Sequence, residues 1–141
     1  MKYLVSSCLL GSNCKYNGGN NKNDNIISFL KDKEYISCCP ECLGGLKVPR
    51  KKAEIRDNRV FREDGIEVTN EYVKGAKKAL KMAIDSGCKC AILKSKSPSC
   101  GYLNIYDGTF TKTLINGNGI TTKLLIDNNI KIISSDDPIF K

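Results

Sequence analysis

An α/β fold follows from two features of the sequence. Short apolar runs alternate with stretches of helical periodicity along the 141 residues, and the order strand, helix, strand, helix, strand, helix, strand calls for a parallel sheet covered on both faces. No internal repeat, low-complexity tract or long linker divides the chain. Residues 1–141 are therefore expected to form a single compact domain, Rossmann-like, with a sheet of about four to five strands.

Residues 3–6 read as the first strand, and 8–19 as a loop rich in Gly, Asn and Ser. Residues 24–31 carry Ile26, Ile27, Phe29 and Leu30 and suit a short helix with Asp24 or Asn25 near its cap. A second strand over 34–38 runs into Pro40, then a loop through Leu43-Gly44-Gly45-Leu46 to Pro49. Val60-Phe61 and Ile66-Glu67-Val68 flank Asp64-Gly65, a hairpin signal.

The clearest element is the helix over 69–86. Thr69 can cap it, Glu71 favours its first turn, and Tyr72, Ala76, Ala79 or Leu80, and Ala83 share one face. Gly87 stops it. Residues 90–93 form a buried strand, followed at once by Ser97-Pro98-Ser99-Cys100-Gly101. Tyr106-Asp107-Gly108-Thr109 marks a turn, 119–128 a last helix and 130–134 a last strand.

Bulk properties narrow the function classes. No apolar run approaches the ~20 residues of a membrane span. The N-terminus lacks a signal peptide's long apolar stretch and cleavage site, so a cytoplasmic setting is expected, where thiols stay reduced. Eight cysteines there point to metal or sulfur chemistry more than to four disulfides. The net charge of +8 is diffuse. Lys74, Lys77, Lys78 and Lys81 share one helix face, which reads as a solvated face without the interleaved aromatics of a single-strand nucleic-acid binder.

Three cysteines stand in distinctive settings, each just after an expected strand: Ser6-Ser7-Cys8-Leu9-Leu10-Gly11, Cys39-Pro40-Glu41 and the turn of Cys100. Ligands of parallel sheets gather at the carboxyl ends of strands, so Cys8, Cys39 and Cys100 are expected to meet. Three thiolates without any histidine suit an iron–sulfur cluster with one iron open to substrate. Two rivals use the same residues. Cys39 and Cys42 with Cys88 and Cys90 offer a four-thiolate zinc site, and Cys39-Pro40-Glu41-Cys42 alone offers a redox dithiol. For Cys38, Cys42, Cys88 and Cys90, plain core packing is the strongest reading. Cys14 is close enough to Cys8 to be an auxiliary thiol.

Polar neighbours complete the set. Glu41 is placed to act as a general base or else to be a surface carboxylate. Ser97 and Ser99 could donate to a cluster or substrate, or merely satisfy their turn. Arg50 could hold a carbonyl-bearing or anionic substrate, or form a surface salt bridge. Gly44, Gly45 and Gly101 suit places where backbone passes close to a bulky inorganic group.

Taken together, these segments resemble the thiouracil desulfidases and their relatives. The resemblance rests on Ser6-Ser7-Cys8-Leu9-Leu10-Gly11, Cys14-x-Tyr16-x-Gly18-Gly19, Cys39-Pro40-Glu41-x-x-Gly44-Gly45-Leu46-x-x-Pro49-Arg50 and Ile92-Leu93-Lys94-x-x-Ser97-Pro98-Ser99-Cys100-Gly101, in the family's order over almost the whole chain. It implies a [4Fe-4S] cluster on Cys8, Cys39 and Cys100 with one open iron. It further implies hydrolytic removal of sulfur from a thiolated pyrimidine such as 2-thiouracil, giving uracil and sulfide, with Glu41 activating water and Ser99 assisting. Ser97 and Arg50 would contact substrate. Asn17 stands where the family often has Asp. The expected partner is a small thiolated nucleobase rather than nucleic acid or membrane, for a monomer or homodimer. Two other classes share these features: a zinc-stabilised RNA-binding module, and a cluster-bearing sulfur carrier that serves another enzyme.

Overall fold

The computed structural model describes residues 1–141. Four strands, β1 (Lys2–Ser6), β2 (Glu34–Cys38), β5 (Cys90–Leu93) and β8 (Lys131–Ser134), form one sheet in the order β2-β1-β5-β8, parallel throughout. Two antiparallel hairpins stand apart from it: β3 (Ala53–Arg56) with β4 (Arg59–Arg62), and β6 (Asn104–Tyr106) with β7 (Leu114–Asn116). The helices are α1 (Asp24–Leu30), α2 (Pro40–Leu43), α3 (Thr69–Asp85) and α4 (Ile120–Asp127). No helix is long and apolar enough to cross a membrane.

Period-two alternation divides the sheet between two cores. Tyr3, Val5, Cys90 and Ile92 pack on Ile26 and Leu30 of α1 and on Phe140. Leu4, Ala91, Leu93 and Ile132 face Ala79 and Ala83 of α3 and Leu125 of α4. From β1 the chain passes through α1 to one neighbour, while β5 lies on the other side of β1. The carboxyl ends of β1 and β5 thus flank the point where strand order reverses, the usual ligand crevice of such sheets.

Several local expectations need correction. Asn23, not Asp24 or Asn25, caps α1, its Oδ1 accepting from the amides of Asn25 (3.0 Å) and Ile26 (3.1 Å). Thr69 does not cap α3; its hydroxyl accepts from the Val60 amide at 2.9 Å and donates to Glu67 at 2.8 Å. The tight turn around Asp64-Gly65 exists, with the Val68 amide bonded to the Val60 carbonyl at 2.8 Å. The regular ladder there is instead β3–β4, which turns at Asp57-Asn58, both at positive φ. Residues 40–43 form a one-turn helix, which takes Leu43 out of the loop expected over Leu43-Gly44-Gly45-Leu46. Pro40 tolerates that place because the first helical amide has no partner to lose. On α3, Lys74, Lys77, Lys78 and Lys81 lie exposed, and Lys81 pairs with Asp85 at 2.6 Å.

Candidate active site

Each cysteine turn is tied to a different helix. Cys8 sits in a single 3-10 turn (Ser7–Leu10) directly after β1. Its carbonyl accepts from the Asn21 amide and that of Leu9 from Asn23, both at 2.9 Å, which ties the turn to the start of α1.

Cys39 immediately precedes α2, whose axis is pressed onto α3 at two glycines. A Cβ on Gly44 would stand 2.0 Å from the Glu71 carbonyl oxygen, and one on Gly75 1.8 Å from that of Pro40. Only glycine permits this approach. Gly44 is therefore required by the packing of α2 on α3. Gly101 is similar, since a Cβ there would meet the Ser97 carbonyl at 2.7 Å. Gly45 has open space around it and needs glycine for its φ of 94°.

The Cys100 turn caps α4. The first amides of a helix lack intrahelical partners. Here the Ile120 amide reaches the Pro98 carbonyl (2.9 Å), and those of Thr121 and Thr122 the Ser99 carbonyl (2.9 and 3.3 Å). The Thr122 hydroxyl donates to the Cys100 carbonyl at 2.8 Å. A sequence that reads as a serine-rich loop is thereby fixed by backbone bonds.

Cys8, Cys39 and Cys100 all line one cavity of about 540 Å³ at the carboxyl end of the sheet. Their strands, β1, β2 and β5, are immediate neighbours. With about 4.8 Å between adjacent strands, the three strand ends span roughly 10 Å. Cys100 is buried, while Cys8 and Cys39 are partly exposed. All eight cysteines are free thiols.

Cys14, also buried, lines the same cavity, and its carbonyl accepts from the Cys39 thiol at 3.9 Å. The Cys14 side chain beside it holds the Cys8 thiol below its ordinary pKa. The same neighbour, together with burial, pushes Cys39 well up. Burial raises Cys100 to about 12, against its hydrogen bonds with Ser6 and Ser99. Ser6 donates to Cys100 Sγ at 3.5 Å and accepts the Lys94 amide at 3.0 Å.

The zinc arrangement does not form. Cys88 packs on the α3–α4 side of the sheet and Cys90 on the α1 side. Cys90 opens β5 and Cys88 lies two residues before it, both at the opposite end of the sheet from Cys39. No three His, Cys, Asp or Glu side chains converge closely enough to hold one ion. Four thiolates on one zinc stand about 3.8 Å apart, given a ~2.3 Å Zn–S bond. A cubane takes its thiolates at separate iron corners, and the three cysteines that line this one cavity come from three separate turns.

Glu41 and Arg50 also line the cavity. They form a sheltered pair rather than a surface bridge, with side chains only 17% and 10% exposed and Arg50 Nε 3.2 Å from Glu41 Oε1. Arg50 also donates to the Cys14 carbonyl at 3.0 Å. The Tyr72 hydroxyl donates to the same Oε1 at 2.7 Å. Burial, reinforced by the Glu41 charge, pushes the Tyr72 pKa well up and keeps it a donor. Sequence reasoning placed Tyr72 in the core of α3. Nothing in its helical spacing signals the hydroxyl's partner 31 residues away.

Ser97 lines the cavity, and its Oγ accepts the Cys100 amide at 2.7 Å. Ser99 does not line it. At 1% exposed, its hydroxyl shares a 2.8 Å bond with Thr121, and the Cys100 thiol donates to it at 3.8 Å. Asn17 accepts the Gly19 amide at 2.9 Å within its own loop, a bond that Asp makes equally well.

With this geometry, comparison with known proteins is decisive. The sequence model of the 2-thiouracil desulfurase family matches residues 3–137. The chain belongs to that family. A Bacillus subtilis (strain 168) relative called uncharacterized protein YbbK is 38% identical over 144 aligned positions, covering 95% of both chains. The solved structure of a [4Fe-4S]-dependent thiouracil desulfidase, TudS (DUF523Vcz), superposes with a TM-score of 0.90 at 39% identity, covering 96% of this chain and 91% of that one. The α/β architecture is thus that of the 2-thiouracil desulfurase family.

Proposed function

We propose that this protein is an iron–sulfur-dependent desulfidase that hydrolyses the carbon–sulfur bond of a thiolated pyrimidine such as 2-thiouracil. The carrying observation is that Cys8, Cys39 and Cys100, remote in sequence, line one cavity together with the Glu41–Arg50 pair. Those three cysteines would hold a [4Fe-4S] cluster with one iron lacking a protein ligand. When bound, the cluster supplies a soft Lewis acid for the departing sulfur, a role that hard cations fill poorly.

The protein's own groups supply the rest. Glu41 is the general base that takes a proton from water as the new carbon–oxygen bond forms. Tyr72 and Arg50 both bind its Oε1, which orients the carboxylate and leaves Oε2 without a protein partner. Ser97 and Arg50 are the substrate-contacting groups at the cavity wall. Ser99 assists indirectly, its hydroxyl 3.8 Å from the Cys100 sulfur and able to donate to it once that sulfur is a deprotonated ligand. Water adds, the carbon–sulfur bond breaks, and uracil and sulfide leave. Oxidation states balance, so no electron donor is required.

Anaerobic reconstitution with iron and sulfide should give about four irons per chain and release sulfide from 2-thiouracil. Cys100→Ala should lose the cluster, whereas Cys42→Ala should keep it. Glu41→Gln should retain iron and visible absorption while sulfide release falls on the order of a hundredfold or more. A complete cluster in Cys100→Ala, or near-normal turnover in Glu41→Gln, overturns the corresponding assignment.

A further inference from the structure

Part of the cavity wall comes from a segment with no place in the scheme above. Residues 107–113 join β6 to β7, and Phe110 and Lys112 of this loop line the same cavity as the cysteines.

The loop is a built object. Asp107 accepts from the Thr109 amide (3.0 Å) and hydroxyl (2.6 Å), and the hydroxyls of Thr109, Thr111 and Thr113 are linked at 2.6 and 2.9 Å. Phe110 and Lys112 hold positive φ, a costly conformation for such side chains that must be stabilised by their surroundings.

The stabilising group comes from the other hairpin. Glu54 of β3 is only 8% exposed, and its Oε1 accepts the amides of Gly108 (3.0 Å) and Phe110 (3.1 Å). A carboxylate is rarely buried without such a task. At Gly108 a Cβ would meet the Ile55 carbonyl at 2.8 Å, so the loop lies directly on the β3 backbone. Glu54 thus ties Phe110 to a fixed place on the cavity wall.

We infer that the 107–113 loop is the substrate-recognition wall, with Phe110 stacking on the planar ring of the bound pyrimidine and Glu54 as its positioning residue. This rests on the desulfidase reading for the ligand class alone. Every nucleobase has a π-face, so an aromatic side chain grips the ring whatever its thio-position, and the cysteine side is left free for the sulfur.

Binding and turnover are measured separately, by equilibrium dialysis of 2-thiouracil against cluster-loaded protein and by sulfide release. Phe110→Leu, similar in bulk but without a π-face, should raise Kd and KM roughly tenfold, with visible absorption unchanged and kcat within about twofold. Phe110→Tyr should bind like the unaltered protein. Glu54→Ala should reproduce the leucine defect, while Glu54→Gln, which keeps one oxygen acceptor for both amides, should restore binding.

Unchanged Kd in Phe110→Leu overturns the stacking wall, and equal losses in Glu54→Ala and Glu54→Gln overturn the anchoring role. Failure of the unaltered protein to bind 2-thiouracil overturns the inference together with its ligand. If that protein binds thiouracil and shows the aromatic dependence but releases no sulfide, the wall stands and the desulfidase reading falls.

Discussion

The two ends of the central sheet use the same residue for opposite purposes. At the amino end of β5, Cys88 and Cys90 are buried on opposite faces among aliphatic side chains, as small apolar fillers. At the carboxyl ends, Cys8, Cys39 and Cys100 project from turns into a shared polar cavity beside Ser6, Glu41, Arg50 and Lys94. What separates the two groups is backbone context. Cys90 follows the pleat of β5 into one core and Cys88 packs just ahead of it into the other, whereas a cysteine just past a strand's carboxyl end is free to face its neighbours across the sheet edge.

Single substitutions at the two ends break this comparison most strongly. Cys8→Ala and Cys39→Ala should lose bound iron and all sulfide release. Cys88→Ala and Cys90→Ala should keep both and lose about 1–2 kcal/mol of stability from the vacated volume, read as a lowered midpoint in denaturant. Iron loss in Cys90→Ala would put ligands at both ends and dissolve the distinction.

Next in size is the scaffold of the active end. Alanine normally favours a helix interior over glycine by about 1 kcal/mol. Gly75→Ala should nonetheless destabilise by about 1–3 kcal/mol, because its methyl meets the Pro40 carbonyl. It should also impair cluster loading by displacing α2 with Cys39 and Glu41. Melting curves and iron content test both effects.

A smaller effect is expected where one hydrogen bond is removed and nothing else. Tyr72→Phe leaves the packing of α3 intact but frees one side of Glu41. Sulfide release should fall roughly tenfold, the scale of one hydrogen bond to a charged group, with cluster content unchanged. An equal loss in Ala79→Gly, on the same buried face but remote from Glu41, would show a packing effect instead.

The mildest test is pH. Cys39 and Cys100 are held protonated above the ordinary thiol range, and thiolates bind iron only after losing their protons. Cluster assembly therefore releases protons. Anaerobic loading should become faster as pH rises from about 7 to 9, a span approaching the ordinary thiol pKa from below.

How much of this was legible beforehand depends on the range of each interaction. The three cysteine turns, the long helix α3 and the buried strand β5 carry their signals within a few residues, by spacing, turn chemistry and apolar runs. The short strands of β3, β6 and β7 do not, since three or four residues with one or two apolar positions carry too little pattern. Leu43 looked like loop because the glycines after it break helices, yet Gly44 is what lets the turn of α2 rest against α3.

The site shows the same boundary. Glu41 was identifiable from its place beside Cys39, but its partner Tyr72 was not, because helical periodicity reports only which face is buried. Ser97 and Ser99 were indistinguishable as neighbours of one proline. The docking of α4 turned Ser99 into a closed bond with Thr121 and left Ser97 at the cavity.

By itself the sequence determined the types of the longer elements, the parallel order they imply and which thiols follow strand ends, since all of these arise from local backbone preference and side-chain period. Only the tertiary structure decided which strands became neighbours and which hydroxyl reached which carboxylate. It also decided which glycines two backbones require. Those outcomes depend on distances between segments tens of residues apart, set by packing that no local pattern encodes.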